Sequence, residues 1–249
     1  MPRFKLTIEY DGRPYVGWQR QENGLGVQQV VEEAIQEFAG EAAPLYVAGR
    51  TDAGVHALGQ VAHVDLEQNW ETDTVRDAIN FHVKPHPISV LTAEIVDQEF
   101  HARFSACGRS YRYRIVNRRP PPTLDRGRVW WVPTPLDANA MSDGASVLTG
   151  NHDFSTFRDS ECQAKSAIKT LDELTVTVQG QEIRINARAR SFLHHQVRNM
   201  VGTLRLLGEG KWTRTDLKRA LDAKDRTKGG PTAPPDGLYL VSVEYRSID

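Results

Sequence analysis

Apolar and polar residues alternate from Lys5 to Tyr10, the period of a strand with one buried face. From Val27 the period lengthens. Apolar residues recur three and four apart as far as Phe38 and Gly40 follows, which predicts an amphipathic helix ended by a glycine cap. Strands over Leu45–Gly49 and Leu58–Leu66, a helix from about Thr74 to Val83 with Thr72 as its N-cap, and a strand over Ile88–Val96 complete the order βαββαβ. The rest of the chain repeats that order. Its elements are a strand at Tyr111–Val116, a helix at Ala138–Leu148, strands at Leu171–Val178 and Glu182–Ala189, a helix at Phe192–Leu207 and a strand at Leu238–Tyr245. A short extra helix fits Thr213–Ala223. The expected class is α+β, two ferredoxin-like βαββαβ units, residues 1–99 and 100–249, whose sheets could join into one. No residue-level repeat links the halves, and Pro120–Pro122 and Gly229–Pro235 fall inside a unit as loops.

At 249 residues with 39% hydrophobic content and 25% charge, the chain can build a packed core. Its start, MPRFKLTIEYDG, reads directly as a strand, and no apolar run approaches the roughly 18 residues of a membrane span. Cys107 and Cys162 stand far apart with no CxxC spacing, so a disulfide framework is not expected and a cytoplasmic protein is. The net charge of −1 conceals a division. Residues 1–99 carry 7 Lys+Arg against 16 Asp+Glu, and residues 100–249 carry 24 against 16. Between Arg103 and Arg128 eight arginines face the single Asp125, interleaved with Phe104, Tyr111 and Tyr113. Such a stretch is a candidate polyanion surface, although a run of charges paired within the molecule would look the same.

The chemistry concentrates in AGRTDAGVHALGQVAHVD, residues 48–65. On extended backbone Arg50 and Asp52 share a face, while Gly54 and Gly59 clear side chains around them. By itself an aspartate before Ala-Gly is ordinary turn chemistry. Other arrangements do less well. Ser105, Ser110 and Ser191 lack a nucleophile-elbow context, and neither cysteine has a neighbour that marks an activated thiolate. His56, His63 and Asp65, or the adjacent His194 and His195, lack the ligand spacing of a metal site. GLGVQQ, from Gly24, lacks the third glycine of a dinucleotide fingerprint and the strand before it.

Six separated motifs agree in order along nearly the whole chain: GRTDAGVHA (49–57), FHARFSA (100–106), RSYRYRI (109–115), GNHDFSTF (150–157), HHQVRNMVG (194–202) and APPDGLYL (233–240). Together they resemble the tRNA pseudouridine synthase A family. The resemblance implies a pseudouridine synthase fold with a central, mainly antiparallel sheet and a cleft. It implies an isomerase that acts on uridines 38, 39 and 40 of the tRNA anticodon stem-loop, as a homodimer without cofactor or metal. The bland alternative is a non-catalytic RNA-binding or RNA-folding protein built on the same basic sheet.

The resemblance makes Asp52 the catalytic carboxylate, acting as nucleophile or base, which must be ionised near the target uracil. Burial would raise its pKa and a neighbouring guanidinium would oppose that. Arg198 and Arg50 are the two candidates. The family pattern sets Arg198 against the aspartate and leaves Arg50 to contact RNA or unstack the stem. Tyr111 resembles the active-site tyrosine that packs on the target base, with Tyr113 expected to fill the packing role on the same face. Phe100, His101, Ala102, Arg103 and Phe104, and Cys162, Gln163, Ala164 and Lys165, resemble segments that line the substrate approach. Gln196 stands where the family more often has methionine.

Overall fold

The computed structural model describes residues 1–246. Two compact units emerge: residues 1–107 together with the segment from Tyr239 onward, and Gly108–Leu238. The last strand therefore counts with the first unit. The class is α+β as expected, with antiparallel pairing in both units and five α-helices among the described residues.

In the first unit β1 (Arg3–Tyr10) lies between β3 (His56–Asp65) and β4 (Ile88–Val96), antiparallel to both. The alternation of β1 buries Phe4, Leu6, Ile8 and Tyr10, as its sequence period requires. On β3 nearly every residue from His56 to Val64 is buried. β2 is only Tyr46–Val47, antiparallel to β3, and β10 (Leu238–Tyr245) runs parallel to β3 where Tyr239 faces His56. Helix α1 (Val27–Ala39) buries Val27, Val30, Val31, Ala34 and Ile35 and packs on α2 (Thr72–His82), which in turn covers β4. Gly40 ends α1 at φ +72°, its N–H donating to Gln36 O.

In the second unit β5 (Ala106–Asn117) pairs antiparallel with β9 (Glu182–Ala189), β9 with β8 (Ile168–Gln179), and β8 with β7 (Gly150–Asp153). β6 (Trp130–Val132) is parallel to β5. Helix α3 (Ala138–Leu148) packs on β8, on α4 (Gln196–Gly208) and on α5 (Arg214–Ala223). Asp137 caps α3 by accepting the Asn139 and Ala140 N–H groups, and Thr213 with Asp216 forms a reciprocal capping box on α5.

Several boundaries differ from expectation, each for a local reason. The strand expected over Leu45–Gly49 shrinks because the Leu45 N–H goes to Glu32 and the Gly49 C=O is taken by the Gln60 amide. Thr72 lies inside α2; Glu71 is the cap, its C=O accepting the Val75 N–H. The helix expected from Phe192 begins at Gln196, because His195 adopts φ +60° and Leu193 N–H folds back onto the Gln196 side chain. That buried glutamine is thus a helix-start anchor. The strand at Tyr111–Val116 extends to Ala106–Asn117, and β6 and β7 are short ladders without a legible period.

One buried group ties this fold to pH. His63 on β3 is 1% exposed, and its Nδ1 accepts the Ala102 N–H at 3.1 Å. Burial, and secondarily the nearby Arg3 guanidinium and His101, push its pKa down to about 4. The folded state therefore rejects a proton that the unfolded chain binds below about pH 6.5. This stabilisation is complete above the unfolded value and is lost as pH falls from there through about 4, at most about 3 kcal/mol. We expect the unfolding free energy of wild type to fall between pH 7 and 4.5 by about 2 kcal/mol more than that of His63→Gln, measured by urea denaturation.

Candidate active site

The loop that carries Asp52 is assembled from two main-chain segments in close contact within the first unit. Tyr15 and Trp18, 3% and 1% exposed, sink their rings on either side of Gly17 and fix the turn after β1. Against that turn the 51–54 main chain is laid as an irregular ladder. Trp18 N–H donates to Thr51 O at 3.0 Å, Gly17 and Asp52 form a bridge, and Gly54 N–H donates to Tyr15 O at 3.3 Å. Only glycine permits such an approach. A Cβ at Gly12 would sit 2.0 Å from Val55 O, and one at Gly17, where φ is +117°, would sit 2.8 Å from Thr51 O.

Side chains complete the clamp. Tyr10 OH and Thr51 Oγ1 are 2.7 Å apart in a buried bond, Gln60 Nε2 donates to Gly49 O at 2.7 Å, and Gly12 N–H donates to His56 Nδ1 at 3.1 Å. Burial pushes the Tyr10 phenol up to about 12, so it stays a neutral partner at any working pH. The turn itself is closed main chain to main chain, Val55 N–H to Asp52 O at 3.1 Å, with Gly54 at φ +77° supplying the left-handed residue. The Asp52 side chain is half-buried at the rim of this clamp, and Arg50 is exposed.

The structure places Arg50, Asp52 and Phe100–Phe104 in the first unit, and Tyr111, Cys162–Lys165 and Arg198 in the second. Ala102 is fully buried between His63 and Tyr245, whereas Arg103 and Phe104 are exposed, the guanidinium 5.7 Å from the Phe104 ring centre. His101 packs between them and the sheet, its ring 4.4 Å from that of Phe104.

In the second unit Tyr111 is half-buried, edge-on to Phe192 at 5.1 Å. Tyr113 has the packing role, fully buried with its OH donating to Pro234 O at 2.7 Å. Arg198, in the first turn of α4, donates from Nε to Ala233 O at 2.8 Å and accepts the Ala233 N–H on its own carbonyl at 3.1 Å, which fixes the plane of the guanidinium. Cys162 is buried. Burial pushes its thiol up, but N–H groups of Ala164 and His194 and the Arg158 guanidinium outweigh that and hold it below its ordinary value. Gln163 and Lys165 beside it are exposed and Ala164 half-buried. Asp159 joins this turn to the start of α4, its carboxylate 2.6 Å from His195 Nδ1 and its N–H on His194 O.

The arginine run is only partly a free surface. Arg114 is held by Glu182 at 2.9 Å and Asp125 at 3.4 Å, and Arg112 donates to Asn186. Even so, the second unit carries 22 Lys+Arg against 14 Asp+Glu. Sequence reasoning passed over the 12–18 turn, Tyr245 and the pairing of Asp159 with His195, and weighed His63 only as a metal ligand. The glycines flanking Tyr15 and preceding Trp18 were a signal for the first.

A family model described as tRNA pseudouridine synthase matches residues 6–105 and 145–246. The tRNA pseudouridine synthase A of Paramagnetospirillum magneticum is 64% identical over 245 residues, covering 98% of this chain and 96% of its own. Those of Parvibaculum lavamentivorans and Rhodospirillum centenum are 61% and 60% identical, each over 98% of this chain and 100% of their own.

Because the Asp52 loop depends on main-chain approach, Gly12→Ala is expected to destabilise the protein by about 1–3 kcal/mol. It should also speed amide hydrogen exchange in a peptide spanning residues 49–57, where the Gly54 and Val55 N–H bonds lie. Unchanged exchange there would show that the contact does not hold the loop.

Proposed function

The chain belongs to the tRNA pseudouridine synthase family, and from that premise we propose that Asp52 is its catalytic carboxylate and that its targets are uridines 38, 39 and 40 of the anticodon stem-loop. The protein is an isomerase that converts uridine in tRNA to pseudouridine. The observation that carries the reading of Asp52 is the clamp beneath it. A turn closed by its own main chain and locked by buried bonds holds Asp52 in one place before any substrate arrives.

The reaction is an exchange of bonds within one nucleotide. The bond from ribose C1′ to uracil N1 breaks, the base turns, a bond from C1′ to C5 forms, the C5 proton leaves and N1 gains one. Atoms and electrons balance inside the substrate, so the chemistry calls for no redox cofactor. Attack by the carboxylate on C1′, attack on uracil C6, and removal of a ribose proton toward a glycal all begin from an ionised Asp52 at the base. In this reading Arg198 is the guanidinium that favours the charged form, with Arg50 the other candidate. Tyr111 is the aromatic wall for a base whose extrusion from the stem costs a few kcal/mol.

Residues 1–99 supply the aspartate loop and 100–249 the basic, RNA-facing part. Phe100–Phe104 and Cys162–Lys165 line the approach, and two copies of the chain act as a homodimer. Binding through phosphates and shape suits an enzyme that treats several adjacent positions alike.

Asp52→Asn is expected to lower tritium release from tRNA labelled at uracil C5 by at least about 10³-fold, and Arg198→Ala by about 10²-fold. Release by Asp52→Asn at the wild-type rate would sink the assignment of Asp52 as the catalytic carboxylate.

A further inference from the structure

Ala102 lies at the centre of the FHARFSA segment, and side chains from two different strands of the first unit hold both faces of its main chain. Its N–H donates to Nδ1 of His63 on β3 at 3.1 Å, and its C=O accepts the hydroxyl of Tyr245 on β10 at 2.8 Å. Each holder is itself fixed. The His63 ring is stacked by Tyr46 at 5.0 Å with 17° between planes and met edge-on by His101 at 4.7 Å. The Tyr245 ring packs on Phe100 at 4.9 Å, and Phe100 O is bound by Arg3, whose guanidinium is also paired with Asp65. Ala48, Val61 and Val243 pack around Ala102 with these rings.

The residues beyond Ala102 behave differently. Arg103 and Phe104 are exposed, Phe104 by 73%, although a large apolar ring gains from burial. The turn is closed on itself by His101 N–H to Ser105 Oγ and Ser105 N–H to His101 O, both at 2.9 Å, with His101 Nδ1 accepting the Arg103 N–H at 3.1 Å. Those local bonds give the turn its shape. The two bonds to Ala102 add something they cannot, the orientation of that shape relative to the sheet. Rotating the Ala102 peptide would swing the Arg103 and Phe104 side chains together.

We infer that His63 and Tyr245 are positioning residues for tRNA binding, fixing the Ala102 main chain so that Arg103 and Phe104 face the RNA in one preset direction. The inference rests on the reading of the protein as a tRNA pseudouridine synthase whose Phe100–Phe104 segment meets the substrate. The Arg103 guanidinium then meets a phosphate and the Phe104 face a base or sugar without first being ordered, which lowers the cost of association. His63 serves only as the neutral tautomer with its proton on Nε2, since Nδ1 must accept.

The test is a double-mutant cycle on tritium release, reading KM and kcat for tRNA separately. Tyr245→Phe removes the hydroxyl and keeps the ring on Phe100. It should raise KM about fivefold with kcat unchanged. Arg103→Ala should raise KM as well, and adding Tyr245→Phe to it should raise KM by less than it does in wild type, because only the direction of the Phe104 ring is then left to lose. His63→Gln, whose amide oxygen can accept the Ala102 N–H, should retain a lower KM than His63→Leu. An unchanged KM in Tyr245→Phe, or the same rise in both backgrounds, overturns the inference. So does an unchanged KM in Arg103→Ala while release still depends on Asp52, an outcome that leaves the function standing. Loss of the Asp52 dependence would instead strike the functional reading itself.

Discussion

The close approach of two stretches of main chain, 12–18 and 49–56, is the constraint on which the rest of the first unit's chemistry depends. Backbone can meet backbone there only because Gly12 and Gly17 present no Cβ. The contact replaces a regular sheet edge with single bonds from Trp18 and Gly54, and such isolated bonds need shelter from water to persist. The shelter comes from Tyr15 and Trp18, buried on one side, and from the Tyr10–Thr51 pair on the other. A lost partner in a buried pair of that kind costs about 1–3 kcal/mol. The loop is therefore as rigid as the core it leans on, though it carries an acidic side chain at its rim.

The same unit uses two buried histidines to hold main chain. His56 and His63 both turn Nδ1 toward a main-chain N–H, of Gly12 and of Ala102. They serve as acceptors that orient backbone, one beside the Asp52 turn and the other beneath the exposed Arg103 and Phe104. Burial sustains that role for His63, because it drives the ring toward the neutral form that alone can accept at Nδ1. A charged ring there would break the bond and sit beside the Arg3 guanidinium.

Most of the architecture was legible in the sequence because burial on one face leaves a period, and β1, α1, α3 and β9 show it clearly. Boundaries failed where side chains competed with the ladder or helix for main-chain groups. Gln60 and Glu32 cut short the strand after residue 45, and Gln196 with a left-handed His195 delays α4 by four residues relative to the apolar stripe. Asp52 could be named from motif agreement, but the loop physics read alone favoured a turn residue. The turn is present, closed by the Val55 N–H on the Asp52 carbonyl. Long-range holders such as Tyr245, 143 residues from Ala102, leave no local signal at all.

Rigidity of the aspartate loop also bears on where the energy of the reaction is concentrated. A target base must leave a stacked stem, which costs a few kcal/mol before any bond changes. Had the proposed catalytic segment also to fold at that moment, each residue ordered would add about 1–2 kcal/mol, and ordering a whole loop would put the encounter out of reach. Folding the loop in advance onto Gly17 and Trp18 moves that cost into the stability of the protein, where a large core absorbs it. The RNA is then the partner that deforms. On the proposed reading, a fixed carboxylate facing a deformable stem would let one reagent serve neighbouring uridines, because the difference among them is taken up by the nucleic acid and not by the enzyme.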